Sequence, residues 1–567
     1  MNLKRMILLL LCAAMLLSLA ACGGSPDPAG EPAGTEPSAN GGASASDDAS
    51  ASSGGASAGG EKVLNVGWSY DPASLDPARA AMDSEYRLLL STGEALLRGV
   101  DGEARPGAAE SYEVNDQQTE YTFHLREGLT YSDGSPVTAE DYAYAMLRLL
   151  DPEAGYEQAE TAFIFQNAEA YYNGECAAED VGVEVVDAQT LRLTMEYPTY
   201  PISFCTWEFA PIKKDLAEEL DIAYGSDADK VLTNGPFTVT SWVRDSEIVL
   251  EKNPNYWDAD SVKLDRIVLK VGAEGDTAVD MMTAGELDAA TITGQVQADA
   301  LTAQGFLCLT DTTGAQCAHI NHKGKTEETG LFLSNANFRK ALSYAVDRSA
   351  MVATAYTTDI PATRVCLPND MGVSGTYNDE HPYEAWSTSP DAEKARECLN
   401  KALSELGKTA ADIPTFTVLC FDSANNMIAM NAIMDMWSQT LGIACEIDAQ
   451  PIQNMLQKVM EGDYDFWKGG VEKDKVDSIG IFREYYGPVT LFGIENEEFD
   501  ALFNAAQAAT SWEARKDAMF ELEQCFCDNM LDVVVTWISE FYIYSPSVTG
   551  VTMDPSGISF VYADLAA

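Results

Sequence analysis

The chain has 567 residues, with 35 basic against 89 acidic side chains and a formal net charge of −54. One hydrophobic core does not suffice at this length, since single cores stop growing near ~250–300 residues, and two to four domains are expected. A hydrophobic content of 46% excludes wholesale disorder, and the charge argues against holding nucleic acid or anionic lipid on the protein's own surface.

In chain order, Lys4 and Arg5 come first, followed by an apolar run of 15 residues from Met6 to Ala20. That is short for a membrane span and suits a secretory signal at residues 1–21. The run closes on Leu19-Ala20-Ala21-Cys22, which resembles the bacterial lipobox. The resemblance implies lipidation of Cys22, which would become the mature N-terminus. Residues 22–60 are Gly, Ser, Ala and Pro with a few acids, so they form a tether with nothing to bury. Its flexible reach is about 34 Å. Gly55-Ala56-Ser57-Ala58-Gly59 matches the serine-hydrolase elbow by chance, because no strand and helix can flank it there.

Residues 61–567 carry 33 basic and 84 acidic side chains and mix strand and helix signals throughout, an α/β pattern. Val63 to Gly67 reads as a first strand, and Tyr121 to Leu125 alternates as a strand should. Ser132-Asp133-Gly134-Ser135 reads as a turn. Thr138 then caps a helix, with Asp141 as its capping-box partner. Asn337 opens a helix whose inward face is Phe338, Ala341, Leu342, Ala345 and Val346. Ser389 caps another, with Pro390 in the first turn and Gly407 at its end. No internal repeat is evident.

Ten cysteines fall in the body, and none forms a C-x-x-C pair. A body this large stands without a disulfide framework, so most read as buried free thiols. Cys308 and Cys317 flank an expected strand turn and can pair. His319-x-x-His322 offers two metal ligands, but no third stands nearby in sequence. No phosphate loop or dinucleotide fingerprint appears. The reading is therefore of a non-enzyme with no metal and no cofactor.

Several segments in order carry a more specific signal. They include GEALLRGVDGEARPGAAESYEV (Gly93 to Val114), YTFHLREGLTYSDGSPVTAEDYAYAMLRLLDP (Tyr121 to Pro152), NGPFTVTSW (Asn234 to Trp242), EKNPNYWD (Glu251 to Asp258) and NFRKALSYAVDRSAMV (Asn337 to Val352). Together they resemble the peptide-type extracellular solute-binding proteins of ABC importers (family 5). The resemblance implies a two-lobed α/β fold of the periplasmic-binding-protein kind that closes about a hinge. It divides the body into a lobe 1 base (61–92, 210–314 and 535–567), an extra subdomain of lobe 1 (93–209) and lobe 2 (315–534).

It also implies a lipid-anchored receptor on the extracellular face of a bacterial membrane, periplasmic in a Gram-negative cell. Such a receptor, a monomer, captures short peptides and hands them to permease and ATPase subunits. An extended peptide pairs like an added strand, and its ammonium needs a carboxylate. By resemblance that carboxylate is Asp474, in Gly470-Val471-Glu472-Lys473-Asp474-Lys475, and Lys468 helps hold the ligand carboxylate. Gly470 and Val471 belong to the same segment, and Trp467 is either pocket wall or core. Tyr156 aligns near a peptide-contacting tyrosine, and Ala81 to Asp83 with a cleft-edge loop. Val471 stands where the family usually has Trp, Lys475 where it has Tyr, Ser478 where Pro is common, and Ile452 where a pocket Trp is usual. These departures keep open a non-peptide ligand such as a metal chelate, a sugar or a modified peptide. A surface sensor feeding signalling also stays open.

Overall fold

The computed structural model describes residues 60–80, 82–474, 477–487, 492–554 and 557–566, apart from the side chains of Asp83 and Glu157. The lipobox, Cys22, nearly all of the tether, Ala81 and Lys475 lie outside the described residues. Residues 61–566 form one compact unit.

Its frame is a mixed sheet. Its path comprises β1 (Val63–Trp68), β2 (Phe237–Val243), β3 (Glu247–Lys252), β4 (Arg266–Val271), β5 (Ala289–Ile292), β6 (Leu307–Ile320), β7 (Phe416–Phe421), β8 (Cys445–Gln450), β9 (Phe466–Glu472) and β10 (Val533–Tyr544). The spatial order is β8-β7-β9-β6-β10-β5-β1-β4-β3-β2. β1 is parallel to both β4 and β5, and β7 is parallel to both β8 and β9. These two parallel groups are the centres of two lobes. Each has helices over it, as parallel strands buried on both faces require.

The long strands β6 and β10 join the groups. The start of β6 pairs with the end of β10, from Leu307 opposite Tyr544 to Thr312 opposite Ser539. That end of β10 also pairs with β5. The far half of β6 pairs with β9, from Gly314 opposite Glu472 to Ile320 opposite Phe466. The β6–β10 register slips between Thr312 and Gly314. Such bulges bend a strand locally and raise its twist. The slip therefore stands where one pair of strands leaves the first lobe and enters the second.

Lobe 1 packs Leu64, Val66, Leu250, Ile267 and Leu269 on one face of its sheet and Ala278, Met282, Leu301 and Ile543 on the other. Lobe 2 packs Phe338, Leu342, Val418, Trp437 and Phe466 on one face and Val471, Phe482, Tyr485, Phe526 and Val534 on the other. A third core lies between a four-stranded antiparallel sheet (Ala109–Val114, Glu120–Leu125, Thr190–Thr194, Val183–Asp187) and helix Ala139–Leu149. Tyr121, Phe123, Tyr142, Met146, Leu191 and Phe204 fill it.

Local signals explain the element boundaries. Thr138 N–H donates to Asp141 Oδ2 at 2.8 Å, which closes the expected capping box. Two helix starts differ from expectation. The helix expected at Asn337 runs Ala336–Tyr344 and is capped by Asn335, whose side chain accepts from Phe338 N–H at 3.1 Å. Asn337 instead turns outward to Glu405. The helix expected from Ser389 runs Ala392–Leu406 and is capped by Asp391, whose carboxylate accepts from Lys394 N–H at 2.9 Å. In each case the competing cap lies one turn ahead of a free N–H, the geometry that fixes an N-cap.

The cysteine pairing is also corrected. Cys308 and Cys317 lie in the single strand β6 with no turn between them. At about 3.3 Å per residue they stand roughly 30 Å apart, far beyond disulfide reach. All ten body cysteines are free thiols.

Candidate functional site

Just beyond the C-terminal end of β9, a cavity of about 390 Å³ opens between the third core and lobe 2. Ligands in open α/β sheets bind outside the carboxyl ends of strands, and this volume is within the range of small-ligand pockets. One wall comes from Gln158 to Ile164 and from the Tyr197–Thr206 segment. In that segment Pro198 and Pro201 bracket Tyr200, so the chain is extended up to Tyr200 and then enters a short 3-10 helix, Pro201–Phe204, with proline at its first position. The other wall comes from Glu472, Lys473, Asp474, Arg483, Glu484 and Arg515 of lobe 2.

Asp474 lines this cavity with 27% of its side chain exposed. Its Oδ1 accepts from Asp477 N–H at 3.0 Å, and its Oδ2 stands 3.5 Å from the Arg483 guanidinium. The preceding Lys473 does not crowd it. Lys473 Nζ reaches back to Asp311 Oδ1 of β6 at 3.3 Å, and its N–H donates to Thr313 O at 3.0 Å. The residue before Asp474 is thus tied to the register slip in the crossing strand.

Beneath the wall lies a buried charge cluster. Asp477 accepts from Arg515 Nε at 2.9 Å and Nη2 at 3.0 Å, and from Lys516 Nζ at 2.9 Å. Burial alone would raise its pKa, but Arg515 and Lys516 overcome burial and hold the carboxyl well below the usual range. Neighbouring Asp370 has no ion pair among the described residues, and burial pushes it up to about 6 against the opposing pull of Lys473 and Lys516. The opposite wall is pinned to this base. Tyr200 Oη donates to Ala509 O at 2.7 Å, and its ring meets Trp512 edge-on at 4.8 Å.

The other residues expected at the site are placed differently. Alternation along β9 sends Trp467 and Val471 to one face and Lys468 and Gly470 to the other. Val471 is 3% exposed and belongs to the lobe 2 core. Trp467 packs beside His319 at 5.0 Å and Phe492 at 6.3 Å, on that same core. Gly470 is exposed. Lys468 donates to Gln316 Oε1 at 2.8 Å, and burial lowers its pKa while Asp359 partly offsets this. Neither Lys468 nor Gly470 lines the cavity that holds Asp474.

Tyr156 lies outside the cavity too. Its ring faces the Arg148 guanidinium at 5.2 Å, and Arg148 is held by both oxygens of Asp76 at 2.8 and 2.7 Å. Asp83 opens helix Asp83–Thr92. Ser478 is buried, and its Oγ accepts from Leu367 N–H at 3.1 Å. Ile452 is 42% exposed. Sequence reasoning did not mark Glu160, Tyr197, Tyr200, Arg483, Glu484 or Arg515. The Tyr-Pro-Thr-Tyr-Pro run was the one local sign, since two prolines around an aromatic mark an extended loop able to present it.

The two histidines of His319-x-x-His322 do not share a partner. His322 Nε2 meets Leu531 O at 2.8 Å, while His319 Nδ1 meets Asp532 Oδ2. Cys317, His319 and Asp532 do bring three potential ligand atoms within 4.8 Å. The Asp532 carboxylate is already taken by His319, by Tyr485 Oη at 2.8 Å and by Val533 N–H at 2.8 Å. The carboxylate is thus a shared acceptor inside a core, while His319 Nε2 is buried with no hydrogen-bond partner among the described residues.

Comparison with known proteins places this architecture. Residues 103–490 match the model for bacterial extracellular solute-binding proteins, family 5. The chain belongs to that family. The oligopeptide-binding protein OppA of Bacillus subtilis is 30% identical over 512 residues, covering 88% of this chain and 91% of OppA. The dipeptide-binding protein DppE of the same organism is 27% identical, covering 89% and 92%. The substrate-binding domain of an oligopeptide ABC transporter from Bacillus anthracis superposes with a TM-score of 0.65 at 25% identity, over 89% of this chain and 99% of that one. Two lobes joined by crossing strands are thus the fold of a family of solute-binding proteins. Among the described residues no helix is long and apolar enough to cross a membrane.

Proposed function

We propose that this chain is the substrate-binding lipoprotein of an ABC importer. It captures short peptides between its lobes and delivers them to a membrane permease driven by cytoplasmic ATPases. Cys22 carries the lipid, and residues 23–60 tether the folded body to the outer face of the membrane. The observation that carries the peptide reading is the placement of Asp474, with carboxylate oxygens exposed in a cavity at the end of β9. A ligand ammonium there finds a fixed anion, and the rest of an extended peptide runs along the exposed backbone of a strand end. Relatives named for oligopeptide and dipeptide binding support the same reading.

The direct test is to purify the protein gently, denature it and identify by mass spectrometry what it releases. A ladder of short peptides is expected. A single non-peptide species would overturn the peptide reading and assign the cleft to a chelate, a sugar or a modified peptide.

A further inference from the structure

The third core is bonded to lobe 1. In its helix Ala139–Leu149, Tyr142 Oη accepts from Asn234 Nδ2 at 3.2 Å, and Arg148 is held by both oxygens of Asp76. Asn234 leads into β2, and Asp76 follows Leu75 of the lobe 1 core. A hairpin, Leu97–Val100 with Glu103–Pro106, packs Leu97 into the third core. Its tip is tied to lobe 1 as well, since Asp101 N–H donates at 2.8 Å to the carbonyl of Met553, whose side chain packs on the lobe 1 core. The third core and the hairpin therefore move with lobe 1.

Toward lobe 2 the same unit makes two apolar contacts. The first is Trp512 against the ring of Tyr200. Trp512 is positioned from the lobe 2 side: it opens helix Trp512–Asn529, its Nε1 donates to Gly372 O at 2.7 Å, and Lys516 Nζ stands 4.0 Å from its ring. The second is Met371, next to Gly372. Its side chain also packs on the third core, and it sits so close over the hairpin tip that a Cβ at Gly102 would lie 2.9 Å from Met371 Sδ. Neither Trp512 nor Met371 lines the cavity. These two contacts cross between the lobes without passing through the place where a ligand sits. Opening the lobes exposes both side chains to water, which costs free energy in proportion to the apolar area uncovered.

We infer that Trp512 and Met371 are positioning residues that form a latch between lobe 2 and the third core, which raises the population of the closed cleft independently of ligand. Ligand contacts supply the remainder of closure. Apparent affinity scales with the fraction of molecules in the binding-competent state, so the latch multiplies the affinity for every ligand by one factor. It sets how tightly the protein binds and leaves its preference among ligands to the cavity walls. A bound ligand leaves only when the latch parts, so the latch also slows dissociation.

The test begins with X-ray scattering of the full protein, stripped of bound ligand by unfolding and refolding. Met371→Ala and Trp512→Ala are each expected to show a larger radius of gyration than wild type. Met371→Leu keeps an apolar side chain of similar volume and is expected to match wild type. Calorimetry and stopped-flow kinetics with trialanine and pentaalanine then read the effect on binding. Each alanine variant is expected to weaken both peptides by the same factor, five-fold or more, through faster dissociation. Wild-type radii in both stripped alanine variants overturn the latch. Weakening of one peptide but not the other also overturns it, because the residue then touches ligand. If wild type binds neither peptide, the peptide reading falls, and the comparison of stripped radii still decides the latch. Met371 and Trp512 stand in different contacts, so a variant that fails to fold leaves the other to give the answer.

Discussion

Two aspartates three residues apart in sequence do different work. Asp474 is partly exposed, accepts a backbone N–H and stands near a guanidinium, and it is the group proposed above to meet a ligand cation. Its loss forfeits one charge-assisted hydrogen bond rather than a fully buried ion pair. Asp474→Ala is expected to weaken peptide binding by about 1.5–3 kcal/mol with little change in melting temperature, measured by calorimetry and thermal denaturation. Unchanged affinity would remove Asp474 from the site. Asp477 is the structural partner. Asp477→Asn strands Arg515 and Lys516 without their anion, a loss of roughly 3–5 kcal/mol of stability. Its pKa is depressed in the folded state, so its contribution is full above the unfolded carboxylate value of about 3.9 and fades as pH falls below it. The gap in melting temperature between wild type and Asp477→Asn is therefore expected to be constant from pH 7 to 5 and to narrow below pH ~4. A gap that narrows already at pH 6 would contradict this assignment.

At the scale of elements, β9 shows why some of the architecture was legible and some was not. The strands read at Val63 to Gly67 and Tyr121 to Leu125 announced themselves through β-branched and aromatic residues, and each is one residue longer in the fold. β6 did not. It carries Gly314 and a run of Thr, Ala and Gln without alternation, which reads as a break. In the fold that glycine is demanded by close approach, because a Cβ there would lie 2.3 Å from Val471 O of β9. Gly469 serves its neighbour in the same way, since a Cβ would meet the His319 ring at 2.6 Å. Gly314→Ala pushes backbone against backbone and Gly469→Ala pushes against a buried ring, and each is expected to cost about 1–3 kcal/mol by thermal or denaturant melting. Gly314→Ala, at the register slip, is expected to disturb ligand affinity as well, whereas Gly469→Ala is not. The acidic side chains of the cavity walls were illegible for a different reason. Glu160 and Glu484 are two among 89 acids, they come from opposite walls, and no periodicity relates positions that only tertiary folding brings together.

The whole molecule makes sense as two rigid lobes sharing one pair of strands. Both lobes have their own cores on both sheet faces, so each resists internal deformation, while the β6–β10 pairing runs on between them with register shifts at Thr312–Gly314, where the strands leave lobe 1, and at Gln316–Cys317. Lys473, bonded to Asp311 and Thr313 beside the first of these slips, directly precedes Asp474, the ligand contact proposed above. Hinge closure about a ligand is a population shift, and it needs differential binding to the closed form. The cavity walls come from both sides of the cleft, so a ligand that touches both supplies that difference. X-ray scattering of the purified protein with saturating peptide is expected to show a smaller radius of gyration than without it, and Asp311→Ala, which releases the Lys473 ammonium while leaving its backbone bond to Thr313, is expected to weaken that response. An unchanged radius at proven saturation would mean that the two lobes bind without closing and that the slip is a fixed bend.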